Sequence, residues 1–500
     1  MATKLATPGV YIEEKSSFGN TVVSVPTAVP AFVGYTEIAA RGSQSLLNVP
    51  TRISSFAEYC TLFGDAPKTK FEVSNIDDES SSYSVKIIKS TRYLMYDSLR
   101  LYFVNGGSDC YIVSVGNYSG NISAKKLNDP KNGGGLAALE KHLEPTIVVI
   151  PDAVLLSEAD CYSLQASMLL HCGHKMKNRF AILDVYNGDK ERTYDDSDVI
   201  NKFREGVGSN HLSWGAAYYP FLNTSTTSDS EIDFTRVSNR ELLVEIINTE
   251  VEKNIENNKL SDAKGEAIKE IVTKMIDASS SDVASIQATL KSISPAFNQI
   301  MGKMLDELNI MPPSAAMAGA YSMVDSSINV AKSPANISLG AVLSPSVKIT
   351  QENQEDLNTP LNGKSINAIR SFTGKGTLVW GARTLDGNSQ DWKYISVRRT
   401  MTYLEQSIKS SSEAFVFSPN NSTTWSTLRS TVSNFLTNQW SSGLLVGSST
   451  DDAFQVQIGL GSTMTSNDIL DGVLKMTVKV ALVRPAEFIV LTFEQKQQQS

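Results

Sequence analysis

The side chains that could do chemistry are few and scattered. Asp184 closes the apolar run Phe180 to Val185, a place where α/β enzymes often keep a catalytic acid. Four histidines, His142, His171, His174 and His211, could supply the base of a Ser-His-Asp hydrolase. No strained nucleophile turn accompanies them. The GxSxG elbow is absent, as are the GxxxxGK phosphate loop, the HExxH zinc pattern and any CxxC pair. Gly374-Lys375-Gly376 is a fragment of a dinucleotide fingerprint without its third glycine and is expected to be a turn. His171, Cys172 and His174 follow Cys161 closely, but adjacent ligands on one helix point in different directions. The plainer reading there is a half-buried helix end with a cationic His against the dipole. For Asp184 the plainer reading is a helix N-cap or a loop hydrogen bond. Trp425 and Trp440, at helical spacing, are expected in a core. No metal, nucleotide or other cofactor is expected, and no catalysis.

The elements that would position these residues change character along the chain. The first 15 or so residues read as an extended arm, with Val10-Tyr11-Ile12 a short β run after the Pro8-Gly9 turn. Thr21 to Val25 and Ala31 to Tyr35 are further short runs beside prolines, as sheet edges allow. Ser55 to Glu58 is a capping box for a short helix that Gly64 ends. Residues 72–84 read as a solvated acidic loop. Leu101 to Val104, a turn at Asn105-Gly106-Gly107, and Cys110 to Val115 read as β-turn-β. From about 136 to 225 the order is strand (Thr146–Ile150), helix (Ser157–Met176), strand (Phe180–Tyr186), short helix, strand (Gly215–Leu222), the signature of a parallel α/β sheet. Residues 238–310 carry four apolar helical stripes and read as an inserted helical lobe. The last 160 residues are α+β. Leu474, Met476, Val478, Val480 and Leu482 alternate with polar neighbours as a half-buried antiparallel strand. After Pro485 a final β run begins at Phe488.

Composition excludes whole classes. The 500 residues are 41% hydrophobic and 20% charged, ordinary for globular chains of two to four domains. A net charge of −8 argues against a general nucleic-acid binder. The longest apolar runs are too short to span a bilayer, and no apolar h-region marks a secretory signal. Four cysteines (Cys60, Cys110, Cys161, Cys172) are too few for a disulfide framework. Both ends are short apolar β runs tethered by proline-marked joints, and lone strands need partners for their backbone groups.

Several stretches resemble contractile tail sheath proteins. PGVYIEE (8–14) and AFVGYTE (31–37) resemble the family's N-terminus, YFVNGGSDCYIVSV (102–115) its next landmark, and KSPAN (332–336) its APAN element. The specific part is LNGKSINAIRSFTGKGTLVWGARTL (361–385), WKYISVRRTMTYLEQSI (392–408), FVFSPNNSTTWSTLRSTVSNFL (415–436) and RPAEFIVLTF (484–493). Before KSPAN, Asp325 is kept while the family's Arg-Gly pair is not.

The resemblance implies a mixed α/β and α+β multidomain chain. Its expected parts are an N-terminal arm (1–20), a β-rich part (21–135) and an outer α/β domain (136–345) that is subtilisin-like but non-catalytic and carries the 238–310 insertion. An inner sheath core domain (346–485) and a C-terminal arm (486–500) follow. The function implied is a helical sheath, built of hexameric rings around an inner tail tube, that contracts to drive the tube through a target envelope. Partners implied are other copies of the chain, the tube, a baseplate and a terminal cap. Neither nucleic acid nor direct membrane insertion is implied. Assembly would occur in a bacterial cytoplasm, within a phage tail or an injection particle that can be released. Inter-subunit strands would involve Val10, Tyr11, Ile12, Phe488, Ile489, Val490 and Leu491. Arg398, Arg399 and Lys409 are either tube contacts or intradomain charges. An α/β hydrolase with unusual ends is the alternative.

Overall fold

The structure, a computed structural model, describes residues 22–77, 82–257, 259–277 and 281–488. The described residues divide into two compact units, residues 26–402 with 484–488, and residues 22–25 with 403–483.

The larger unit is organised by an eight-stranded sheet. Its strands are β1 (Pro30–Gly34), β2 (Thr51–Ile53), β3 (Cys110–Ser114), β4 (Ile147–Val149), β5 (Phe180–Asp184), β6 (Gly215–Tyr219), β7 (Asn367–Phe372) and β8 (Gly376–Val379). The order is β8-β7-β6-β5-β4-β1-β3-β2. The inner pairings are all parallel, and only the edge strands β2 and β8 are antiparallel to their neighbours. β1 and β3 to β6 are buried at every position, so they are apolar at successive positions rather than alternate ones. Ala31 and Val33 face a core with Cys161, Leu164 and Met168 of the helix Glu158–Leu170. Phe32 faces the other core, with Leu99 and Tyr102 of the helix Met95–Val104 and Tyr321 of the helix Ser314–Ser327.

The expected boundaries at 136 and 346 are not where the chain divides. β1 to β3 and β7 to β8 complete one sheet with the central strands, so segments on both sides of those boundaries share its two cores. Leu101 to Val104 is not a strand but the end of the helix Met95–Val104, because Met95, Leu99 and Tyr102 continue one buried stripe. Residues 22–26 form no strand. The 72–84 segment is no simple loop. Phe71–Asp77 and Ser82–Ile87 form an antiparallel hairpin that buries Phe71, Val73, Tyr83 and Val85. Its core is shared with the four expected helices, Arg240–Glu256, Asp262–Thr273, Val283–Ile293 and Pro295–Asn309. The lobe is therefore the insertion plus a hairpin from far upstream.

The smaller unit packs Leu404 and the helix Ser422–Ser441 (Leu428, Val432, Phe435, Leu436) against β9 (Phe454–Ile458) and β10 (Met476–Val480). Trp425 and Trp440 lie against this core, and Gly443 ends the helix at φ 78°. The N-terminal segment joins it through Val22 and through Ser24 Oγ, which is 2.9 Å from Tyr403 OH.

Candidate functional site

The residues suited to catalysis are committed to holding the fold. Asp184 is 3% exposed, and its Oδ1 accepts the Ser314 N–H at 2.8 Å, the first free donor of the helix Ser314–Ser327. Burial pushes its carboxyl up to about 7, against the lowering effect of Ser314. This is the capping role, not an acid facing a cleft. His171 is buried with Nε2 3.3 Å from Arg179 Nη1. Burial, helped by Arg179, pushes the ring down to about 3, so it is neutral rather than the cation expected at that helix end. The rings of His174 and His211 are 5.9 Å apart. Among the described residues no group of three or more His, Cys, Asp or Glu could hold a metal ion.

Arg398 and Arg399 are not surface charges. The Arg398 guanidinium lies between two indoles, 4.3 Å from Trp214 and 4.2 Å from Trp392. Arg399 forks onto Asp325 at 3.0 and 2.6 Å, donates to the Thr27 carbonyl at 3.0 Å, and stands 4.7 Å from the Tyr321 ring. Both partners of that ion pair are 4% exposed. The two arginines therefore hold the first turns of the helix Ile395–Ser412 inside the larger unit, in line with the intradomain alternative. Lys409, further along the helix, is exposed. The sequence signal for the pair was Asp325 itself, retained without its usual basic neighbour.

The first feature in the sheath-like part of the sequence is a small sheet. β9 and β10 pair antiparallel, Phe454↔Val480 through Ile458↔Met476, and no third strand joins them among the described residues. Val456, Met476, Val478 and Val480 turn toward the helical core, while Gln455, Thr477 and Lys479 point out. Packing on the helix Ser422–Ser441 supports the two strands, and just beyond β10 Leu445 forms an antiparallel bridge with Leu482.

The second feature is the root of the C-terminal segment. Glu487 accepts Arg383 Nε and Nη2 at 2.8 and 2.7 Å, Asn358 Nδ2 at 2.7 Å and Tyr394 OH at 3.1 Å. Burial works to raise its carboxyl, but the bonds from Arg383 and Asn358 outweigh that and hold it below the usual range. Phe488, next in the chain, lies in no strand and is 71% exposed. Sequence reading missed Glu487 and Arg383. The available signal was one acid inside the apolar run RPAEFIVLTF, since a charge there needs a partner. Val10, Tyr11, Ile12, Ile489, Val490 and Leu491 lie outside the described residues.

Residues 388–496 match the phage tail sheath C-terminal domain. A search among curated proteins found no match. Among solved structures, the chain is similar to the PVC sheath complex of an extracellular contractile injection system in the contracted state. Identity is 27% over 99% of each chain, with a TM-score of 0.60. It is similar to the contracted helical sheath of the anti-feeding prophage, at 28% identity over 98% of this chain and 100% of that one, TM-score 0.61. A chain of the anti-feeding prophage baseplate gives 28% identity over 99% and 100%, TM-score 0.59. Residues 388–496 thus match a phage tail sheath domain, and nearly the whole chain is similar to sheath and baseplate chains of contractile injection systems.

Proposed function

We propose that this protein is a structural subunit that polymerises into a helical sheath around an inner tail tube and contracts to drive that tube through a target envelope. The observation that carries the reading is the two-stranded sheet β9–β10 in the part of the chain that matches the sheath domain. Its edges would accept the terminal strands of neighbouring copies, centred on Val10 to Ile12 and on Phe488 to Leu491, by strand addition. The parallel sheet of the larger unit supports a subtilisin-like scaffold used for shape alone. The β9–β10 part would face the tube, and the 238–310 lobe would lie outward. A baseplate and a cap would bound the tube. Particles would assemble in a bacterial cytoplasm and act as a phage tail or an injection particle. No helix among the described residues is long and apolar enough to cross a membrane.

Contraction of this kind consumes no nucleotide. The driving energy would be interface gained by each subunit, on the order of a few kcal/mol, summed over a metastable lattice. The hydrolase alternative finds no support in a site where Asp184 is spent on Ser314. Deleting residues 1–15 tests the reading. The shortened chain should fold as a monomer and form no tubes in electron micrographs, and tubes of normal stability would refute strand donation.

A further inference from the structure

We propose that Glu487 is the point at which pull on the C-terminal arm is transferred to the large sheet, which makes Glu487 and Arg383 positioning residues for contraction. The inference rests on the sheath reading above and names the part that takes the strain. The chain passes from the smaller unit to the larger one between Val483 and Arg484. Just before that crossing it is held by Ala481 N donating to the Ala453 carbonyl at 2.9 Å and Val483 N to the Leu444 carbonyl at 3.3 Å. Without a fixed point beyond the crossing, tension on residues after 488 would run back into these bonds and peel β10 from β9. That is the sheet proposed to receive other subunits' strands.

The geometry offers a different route. Four hydrogen bonds from three side chains hold one carboxylate, and the Arg383 fork makes two of them at once. Arg383 is itself anchored. Its Nη1 donates to the Asn358 carbonyl at 3.1 Å, and its N–H donates to Asn367 Oδ1 at 2.8 Å. Asn367 Nδ2 donates back to the Arg383 carbonyl at 2.8 Å and on to the Ala217 carbonyl of β6 at 3.1 Å. The path from arm to sheet is thus Glu487, Arg383, Asn367, Ala217. Gly381 lets the chain lie this close, since a Cβ there would come within 2.8 Å of the Asn367 backbone. Arg484, in the same segment, meets the surface only, donating to the Gln390 carbonyl at 2.9 Å beside Asp391 at 3.6 Å.

The test uses full-length chains assembled with tube and baseplate, imaged before and after triggering by brief guanidinium exposure. Glu487→Ala should leave the monomer folded and the extended sheath formed. Contracted sheaths should then be broken about tenfold more often than wild type, the least expected from losing a buried charge pair. Glu487→Gln, whose one carbonyl oxygen can still accept from Asn358 and Arg383 Nε while its NH2 replaces the acceptor facing Arg383 Nη2 and Tyr394, should be intermediate, and Arg484→Ala should match wild type. Unbroken contraction by Glu487→Ala, or equal breakage by Arg484→Ala, would overturn the proposal. If only Glu487→Ala fails to assemble, Glu487→Gln decides by the same count. If neither assembles, the proposal also falls, because the clamp would be needed before any tension exists. A wild-type chain that forms no sheath would instead refute the sheath reading.

Discussion

Replacing Asp325 with Ala leaves the Arg399 guanidinium in a site that is 4% exposed, with the Thr27 carbonyl and the Tyr321 ring as its named remaining partners. Breaking a buried pair from one side costs about 3–5 kcal/mol, because the remaining charge stays desolvated. A hydrogen bond to a carbonyl and a ring face at 4.7 Å offset part of that, so the expected loss is about 3 kcal/mol. Arg399→Met should cost a similar amount, by stranding Asp325. The double variant should cost about the same as either single change, since neither charge is then left alone, so the coupling is about 3 kcal/mol. Urea unfolding followed by tryptophan emission measures this, with Trp214, Trp380 and Trp392 reporting on the larger unit. A single-variant loss under about 1 kcal/mol, or additivity within about 0.5 kcal/mol, would refute the account of the pair as a desolvated fork.

Arg398→Glu should destabilise the monomer by roughly 2 kcal/mol, since it replaces a cation stacked between Trp214 and Trp392 with an anion. Lys409→Glu should leave the melting temperature unchanged, and any loss of salt-sensitive sheath loading on tubes would isolate Lys409 as a tube contact. Asp184 has a folded carboxyl raised to about 7, so the native state binds more protons than the unfolded chain between the ordinary carboxyl range and that value. Wild-type stability measured against Asp184→Asn should therefore fall as pH rises through that window, and a flat difference from pH 4 to 8 would contradict it. In assembled particles, limited proteolysis should cut first within 238–310, and prior cleavage within 400–440 would reverse the proposed layering.

Elements with a local signal were legible. The helices of the 238–310 block follow their apolar stripes, and β4, β5 and β10 lie within the runs assigned to strands. What the sequence hid was long-range pairing. Nothing around Pro30 indicates that β1 lies between β3 and β4, because the partners of Ala31 are Tyr111 and Val148. The hairpin at 71–87 was masked by its acidic neighbours, although Phe71, Val73, Tyr83 and Val85 alternate as a strand should. Arg398 and Arg399 looked free because their partners, Trp214, Trp392 and Asp325, come from other parts of the chain. That β9 and β10 form a sheet with no third strand among the described residues is likewise a matter of three-dimensional arrangement.

The position of β1 also sets an order of manufacture. It is the first strand of the large sheet to be synthesised, yet its neighbours begin at residues 110 and 147, and the far edge of the sheet is not made until Val379. Pairings of such long sequence separation form late and slowly. The acceptor sheet comes later still, since β10 ends at Val480. On the strand-donating arms proposed above, a growing chain exposes its N-terminal donor first, and its acceptor and C-terminal donor only near the end. A half-made subunit on the ribosome thus offers no finished edge for others to build on. On that proposal, synthesis direction itself would keep tubes from nucleating on nascent chains, and only complete subunits would extend a sheath.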